Sequence, residues 1–387
     1  MNRVTINLEA LQHNFKVIDG WMKDHESTWT LVTKVLCGHA DTIKGLELLG
    51  VRSMADSRLT NLKVVRKTVP DVETWYLRVP HLPAIPDIVS LADVSLNTEL
   101  ETIYAINIEA GKQGRQHKII VMIELGDLRE GLLPGSLVAF FQSIFDLPNI
   151  EVWGIGANLG CLSGTVPNVD QLTQLMMYRE LLELKFKKKL PMISAGASSL
   201  LPLLRKGNVP REINNFRIGE SLYLGTDLVN GGTLNGLRDD AVTLEADIAE
   251  IKEKSLVPLG ETTSMSPFET FTLEDTQPGE RGLRAVITMG QLDTEIGGLT
   301  PLNSNHQLVG ASSDLSVVSV AESENLKVGD TICFRPSYGA LVRLMISKYV
   351  TQHVTPSLEA YGKGLEEDYD LELPPVHEQV DEYEDEQ

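Results

Sequence analysis

Residues 28–41 read TWTLVTKVLCGHAD and set one lysine, Lys34, at the tip of an apolar strand, just before the chain breaks at Gly38. An amine with apolar neighbours is costly to keep charged. Its pKa falls, and it becomes a nucleophile toward aldehydes. The plain alternative is a lysine that reaches from a strand end into solvent. Later segments carry groups that would complement such an amine. SAGASSLLPLL offers Ser198, Ser199 and backbone amides ahead of a helix, suited to a phosphate or to a simple serine cap. NNFRIGESLYLG carries Arg217, Gly219, Glu220 and Ser221. Arg217 is suited to facing a ring nitrogen, which an always-cationic guanidinium would keep unprotonated. The alternative for it is a salt bridge to Glu212 or Glu220. IELGDLREG places Arg129 where it would bind a carboxylate or a phenolic oxygen, or else pair with Asp127 or Glu130 at the surface. A reactive amine, a phosphate cup and a partner for a ring nitrogen are together what pyridoxal 5'-phosphate (PLP) requires.

The elements that must position these groups alternate. The strand candidates are TWTLVTK, VRSMADS, TWYLRVP, ADVSLNT, HKIIVMIELG, IEVWGIGANL, LPMISAGAS and ESLYLGTD, with amphipathic helical stretches between them. Eight strands alternating with helices predict a closed (β/α)8 TIM-type barrel, whose chemistry gathers at the C-terminal ends of the strands. Lys34, Arg129, Asn158, Ser198 and Gly225 all fall at or just past such ends. After residue 236 the pattern changes to strands without comparable helices, which predicts an antiparallel β domain. The reading divides the chain into an N-terminal strand over 1–12 that packs on the β domain, a barrel over 13–236, the β domain over 237–355 and an acidic tail over 356–387. The fold class is therefore α/β, a barrel followed by an antiparallel β domain.

The formal net charge of −20 argues against a nucleic-acid partner, and part of it sits in the tail, read as a solvated or loosely docked extension. Three widely spaced cysteines, Cys37, Cys161 and Cys333, show no metal or redox spacing and read as reduced thiols. A polar N-terminus and the lack of a long apolar run lead us to expect a cytoplasmic protein without a membrane partner.

From VTINLEALQHNF to LMISKYV the chain resembles the alanine racemase family, PLP enzymes built on a barrel plus a β domain, and within it the ornithine racemase branch. The segments that carry the resemblance include LVTKVLCGHADTIKGLELLGVRSMADSRLTNLK, HKIIVMIELGDLREGLLP, INNFRIGESLYLG and DAVTLEADIAEIKEK. The resemblance implies that Lys34 carries PLP and acts as one catalytic base, that Arg217 faces the pyridine nitrogen, and that Ser198, Gly219, Glu220 and Ser221 surround the phosphate. Tyr338, in RPSYGAL, matches a phosphate-binding tyrosine. Arg129 matches an arginine near the substrate carboxylate. Asn158 lies where alanine racemases have a histidine beside the ring. A homodimer with shared active sites is implied as well.

Two departures qualify this. Gln291, in TMGQLDTEIGG, stands where the family's second base, a tyrosine, is expected, and glutamine cannot act as a base. KVLCGHA lacks a tyrosine shortly after the lysine. Asp293, Asp314, Cys37 and His39 are the candidates for the second base, with Asp293 favoured because it lies two residues past the lost tyrosine; it also reads as a loop-capping aspartate. The expected activity is racemisation of a free amino acid, with ornithine first and lysine, arginine or alanine as alternatives. A non-catalytic PLP carrier, a barrel-type decarboxylase and a cofactor-free barrel enzyme are the competing readings. The β domain counts against the carrier, and Arg217 with SAGASS counts against the decarboxylase.

Overall fold

In a computed structural model, which describes residues 2–258, 260–261, 277 and 279–372, the chain forms a closed parallel barrel and a mixed sheet. Strand β1 (Arg3–Asn7) alternates buried Val4 and Ile6 with outward Arg3 and Thr5, the two-residue period of a half-buried strand. Asn7 then caps helix α1 (Leu8–Asp24), its side-chain oxygen accepting from the backbone N–H of Glu9 at 3.0 Å and Ala10 at 3.1 Å. The N-terminal strand is thus shorter than 1–12.

The barrel strands are β2 (Thr28–Val32), β3 (Ser53–Asp56), β4 (Glu73–Tyr76), β5 (Val94–Asn97), β6 (His117–Met122), β7 (Ile150–Gly156), β8 (Met192–Ala197) and β9 (Asn215–Ile218), and they close in chain order through the parallel pair β2–β9. The register of β8 against β9 shifts between Ser194 and Gly196. A bulge at a barrel rim re-aims the side chains beyond it. Gly196 permits the close approach, because a Cβ there would lie 2.0 Å from Cδ1 of Phe216.

The second sheet holds β10 (Val242–Ser255), β11 (Arg281–Ile287), β12 (Leu299–Pro301), β13 (Gln307–Ala311), β14 (Ser316–Ser319), β15 (Thr331–Pro336) and β16 (Thr351–Thr355). β1 joins it, antiparallel to β10 and parallel to β16.

Three segments differ from the sequence reading. The last barrel strand is Asn215–Ile218; in ESLYLGTD, Gly219 ends the strand and Glu220–Leu224 is helical. Leu222, Tyr223 and Leu224 are all buried, and a short apolar run of that kind carries no period to separate strand from helix. ALVRLMISKYVTQHV holds most of a helix, Tyr338–Ile346, before β16. Ser337 caps it, and Ala340, Leu341, Leu344 and Met345 are buried at helical spacing. The tail begins as a helix, Leu358–Glu372, which docks Leu358, Tyr361 and Leu365 on the core. The rest of the predicted tail lies outside the described residues.

Tyr361 is 4% exposed and its hydroxyl has no hydrogen-bond partner among the described residues. Tyr361→Ala is therefore expected to lower unfolding stability by about 3 kcal/mol, while Tyr361→Phe should change it by less than about 0.5 kcal/mol. Urea unfolding midpoints check both; an unchanged midpoint in the alanine variant would mean the tail helix is not docked.

Candidate active site

At the C-terminal ends of the barrel strands lies a cavity of about 560 Å³. Lys34, Arg129, Asn158, Ser198, Arg217, Gly219, Glu220 and Tyr338 all line it. Lys34 opens the short 3-10 turn Lys34–Leu36 directly after β2. The turn is anchored by Thr33, whose N–H donates to the Ala55 carbonyl at 2.8 Å and whose hydroxyl donates to Asp56 Oδ2 at 3.0 Å. Burial holds the Lys34 ammonium below its ordinary pKa; Arg129 and Arg217 push the same way, against Cys161 and Asp56.

Arg217 rises from β9 into the same cavity. Its Nη1 donates to the Ser194 carbonyl and to Ser194 Oγ, each at 2.6 Å. Its Nη2 donates to the Ala157 carbonyl and to Asn158 Oδ1, each at 2.9 Å. No carboxylate pairs with it among the described residues, so the salt bridges to Glu212 or Glu220 are not formed. Burial brings its pKa down to about 10, with Arg129 adding to the shift and Glu130 and Cys161 opposing it. The group remains a cation at neutral pH.

Asn158 passes the contact on, donating from Nδ2 to Glu130 Oε1 at 2.5 Å. Glu130 also accepts from Arg129 through Nε, and through Nη2 at 2.8 Å. Arg129 Nη1 lies 2.8 Å from Cys161 Sγ. The ion pair weighed for Arg129 is therefore real, and it forms in the cavity wall. The sequence reading did not assign Glu130 or Cys161 to the site. The available signal was their position on the same strand-end loops as Arg129 and Asn158.

On the other flank, Ser198 begins the turn after β8. Its Oγ accepts from the N–H of Gly219 at 3.4 Å and of Ser221 at 3.3 Å. The hydroxyl and the Gly219 N–H thus share one corner of the cavity, and the Ser221 N–H converges on the same oxygen although Ser221 itself does not line the cavity. Tyr338 starts the helix over this corner, and burial, with Glu220 nearby, raises its phenol above the ordinary value. Burial also raises the Glu220 carboxyl, against the charge of Lys34 and a hydrogen bond from Thr226.

None of the four second-base candidates lines this chain's cavity. Asp293 accepts from the Gly290 N–H at 3.0 Å, as a loop cap does. Asp314 sits in an exposed turn with Ser312 and Ser313. Cys37 lies behind Lys34 in a left-handed conformation, its thiol pushed up to about 11 by burial. His39 Nδ1 is 2.8 Å from Thr42 Oγ1.

Comparison with known proteins gives a consistent picture. Residues 6–227 match the family model "Alanine racemase, N-terminal domain". The chain is 36% identical to an ornithine racemase from Acetoanaerobium sticklandii, over 91% of this chain and 99% of that one. It is 29% identical to a lysine racemase from Thermotoga maritima, over 92% of this chain and 99% of that one. Among solved structures, alanine racemase from Streptomyces coelicolor shares the fold at a TM-score of 0.71 and 16% identity, over 92% of this chain and 98% of the other. Alanine racemase from Bartonella henselae with covalently bound pyridoxal phosphate does so at 0.68 and 16%, over 91% and 99%.

The lowered Lys34 pKa has a consequence for stability. Between its folded pKa and the ordinary lysine value of 10.5 the unfolded chain binds more protons than the folded one, so stability rises with pH across that window. Lys34→Met should flatten this rise. Urea midpoints of the unliganded chain from about pH 8 upward would show it; parallel profiles for the two proteins would contradict a desolvated amine.

Proposed function

The chain belongs to the alanine racemase family, and from that premise and the cavity's chemistry we propose that it is a PLP-dependent amino-acid racemase acting on a free basic amino acid, ornithine first. The observation that carries the reading is the convergence of Lys34, with its lowered pKa, and Arg217, without a carboxylate, on one cavity.

The residues present fit the cofactor. Lys34 is an amine made reactive by burial. The Ser198 hydroxyl, the N–H groups of Gly219 and Ser221, and the Tyr338 phenol supply donors for a phosphate. Glu220 can contribute there only through its backbone N–H, since its carboxylate would repel a phosphate. Arg217 provides the cation for a ring nitrogen, and Asn158 holds Arg217 from the side. When bound, PLP supplies an electron sink that makes the α-proton of an amino acid removable.

The chain's own groups do the rest. Lys34 Nζ takes or returns a proton on one face of the substrate's α-carbon. Arg129, fixed by Glu130, presents a guanidinium for the α-carboxylate. Glu130 and Glu220 give the cavity acceptors for a cationic side chain. The chain works as a homodimer, in which the Gln291–Asp293 loop of a second copy reaches the barrel mouth and Asp293 serves the opposite face. Two facts support that: Asp293 does not line its own chain's cavity, and the neighbouring Leu292 is 74% exposed. Lysine, supported by the Thermotoga maritima relative, is the next substrate in line. Among the described residues no helix is long and apolar enough to cross a membrane, and we place the protein in the cytoplasm.

The test is α-proton exchange of L-ornithine in D₂O followed by NMR, with chiral chromatography of the same samples. Wild-type protein should exchange the proton and form the D-enantiomer. Lys34→Ala should lose more than about a thousandfold of the rate. Turnover retained in that variant would remove Lys34 from the chemistry. Exchange without inversion would leave the opposite-face group unsupported.

A further inference from the structure

The barrel has a second cavity, of about 480 Å³, at the opposite end, where β2, β3, β4 and β9 begin at Thr28, Ser53, Glu73 and Asn215. We propose that this cavity binds a free zwitterionic α-amino acid and that a hydrogen-bond chain through the barrel lumen couples its occupancy to Arg217.

The charges that line it are four. Asp19 and Lys23 close on each other at 2.8 Å. Arg52 and Glu73 have no ion pair among the described residues, though they are neighbours: the Glu73 N–H donates to the Arg52 carbonyl at 2.9 Å. Among the described residues Arg52 uses its guanidinium only on the adjacent Val51 carbonyl, at 3.3 Å. One guanidinium and one carboxylate thus stand on one wall without an opposite charge among the described residues, the Glu73 carboxylate being held in place by Trp75 Nε1, which donates to its Oε2 at 2.8 Å. A ligand carrying both signs satisfies both, whereas a simple diamine or a simple carboxylate would leave one charge unmatched. Trp29, Trp75 and Trp153 form apolar walls for a side chain. Lys118 already lies over the Trp153 ring, 4.5 Å from its centroid, so that face is not open to a ligand cation. The volume is within the range of small-molecule sites.

The starting end of a barrel ordinarily serves stability, and the lumen is ordinarily filled by branched apolar side chains. Here a polar path runs through it beside an apolar cluster that includes Val32, Leu96, Ile120 and Met122. Arg217 Nη1 donates to Ser194 Oγ at 2.6 Å, and Ser194 Oγ donates to Asn215 Oδ1 at 2.6 Å. Asn215 Nδ2 donates to Thr30 Oγ1 at 3.4 Å. Ser53 Oγ lies 3.1 Å from Thr30 Oγ1 and 3.3 Å from Glu73 Oε2. The Ser53 hydroxyl has one proton and two acceptors. An ammonium seated on Glu73 weakens that carboxylate as an acceptor and releases the proton toward Thr30. The change then passes through Asn215 and Ser194 to the guanidinium that the proposed reaction uses; the coupling, unlike the site, rests on that reading.

The test uses the full-length holoenzyme. Tryptophan fluorescence reports the site, because three of the chain's four tryptophans line it. L-Leucine and L-norvaline are the probes, with 1,4-diaminobutane and butyrate as single-charge controls. A saturable change with the amino acids, weakened about tenfold or more in both Glu73→Gln and Arg52→Gln, is expected. Arg52 is exposed, so its variant reads the site even if Glu73→Gln folds poorly. No saturable response to either amino acid overturns the site. A response to diaminobutane or butyrate alone overturns the zwitterion. For the coupling, bound amino acid should change kcat for racemisation about twofold or more in wild type and not in Ser53→Ala, which still binds it. An equal change in Ser53→Ala, or none in wild type, overturns the coupling. If the protein racemises nothing, the absorbance of the bound cofactor replaces kcat, so failure of the assigned activity is told apart from failure of this site.

Discussion

A guanidinium buried among four neutral oxygens is the constraint on which this site depends. Isolated buried charges are costly, and a carboxylate partner is the usual remedy. Arg217 instead donates to the Ser194 and Ala157 carbonyls, the Ser194 hydroxyl and the Asn158 amide oxygen. These acceptors fix the planar group without cancelling its charge. The nearest compensation, Glu130, acts through Asn158 and is itself held by Arg129. The cation therefore keeps its field in the cavity, where it helps depress the Lys34 amine and is placed to keep a ring nitrogen free of a proton.

Much of the scaffold exists to make this arrangement possible. The shifted register between β8 and β9 and the missing side chain at Gly196 bring Ser194 and Arg217 into line. The Thr33–Asp56 contact pins the turn that presents Lys34. The helix Tyr338–Ile346 crosses from the β domain to the barrel mouth, and the Cys37 thiol lies 3.9 Å from its Val342 carbonyl. The two domains thus meet at the turn that carries the lysine.

The sequence makes the strand ends readable because a parallel barrel turns chain order into position. Lys34 and Ser198 follow apolar runs, and each run's end is a site position. Arg217 is assigned from its segment NNFRIGESLYLG and not from a strand end, because the sequence reading puts the last strand at ESLYLGTD whereas it is Asn215–Ile218. Glu130 and Cys161 were not readable in that way, since the contact that joins Arg129 to Cys161 spans two loops and leaves no period. Tyr338 was recognised by motif, yet its helix was hidden in a β-rich apolar run whose helical burial shows only when packed. Asp293 stays where both of its readings began: it caps a turn in this chain, and only a second copy could bring it to a barrel mouth. The polar lumen was invisible because Thr30, Ser53, Ser194 and Asn215 are ordinary strand residues until closure sets them face to face.

The most direct measurement is the ¹⁵N NMR shift of the pyridine nitrogen in the holoenzyme reconstituted with labelled PLP. With Arg217 cationic and unpaired, the shift should be that of an unprotonated nitrogen, and Arg217→Glu should move it toward the protonated value. A protonated nitrogen in the wild-type protein would contradict the account.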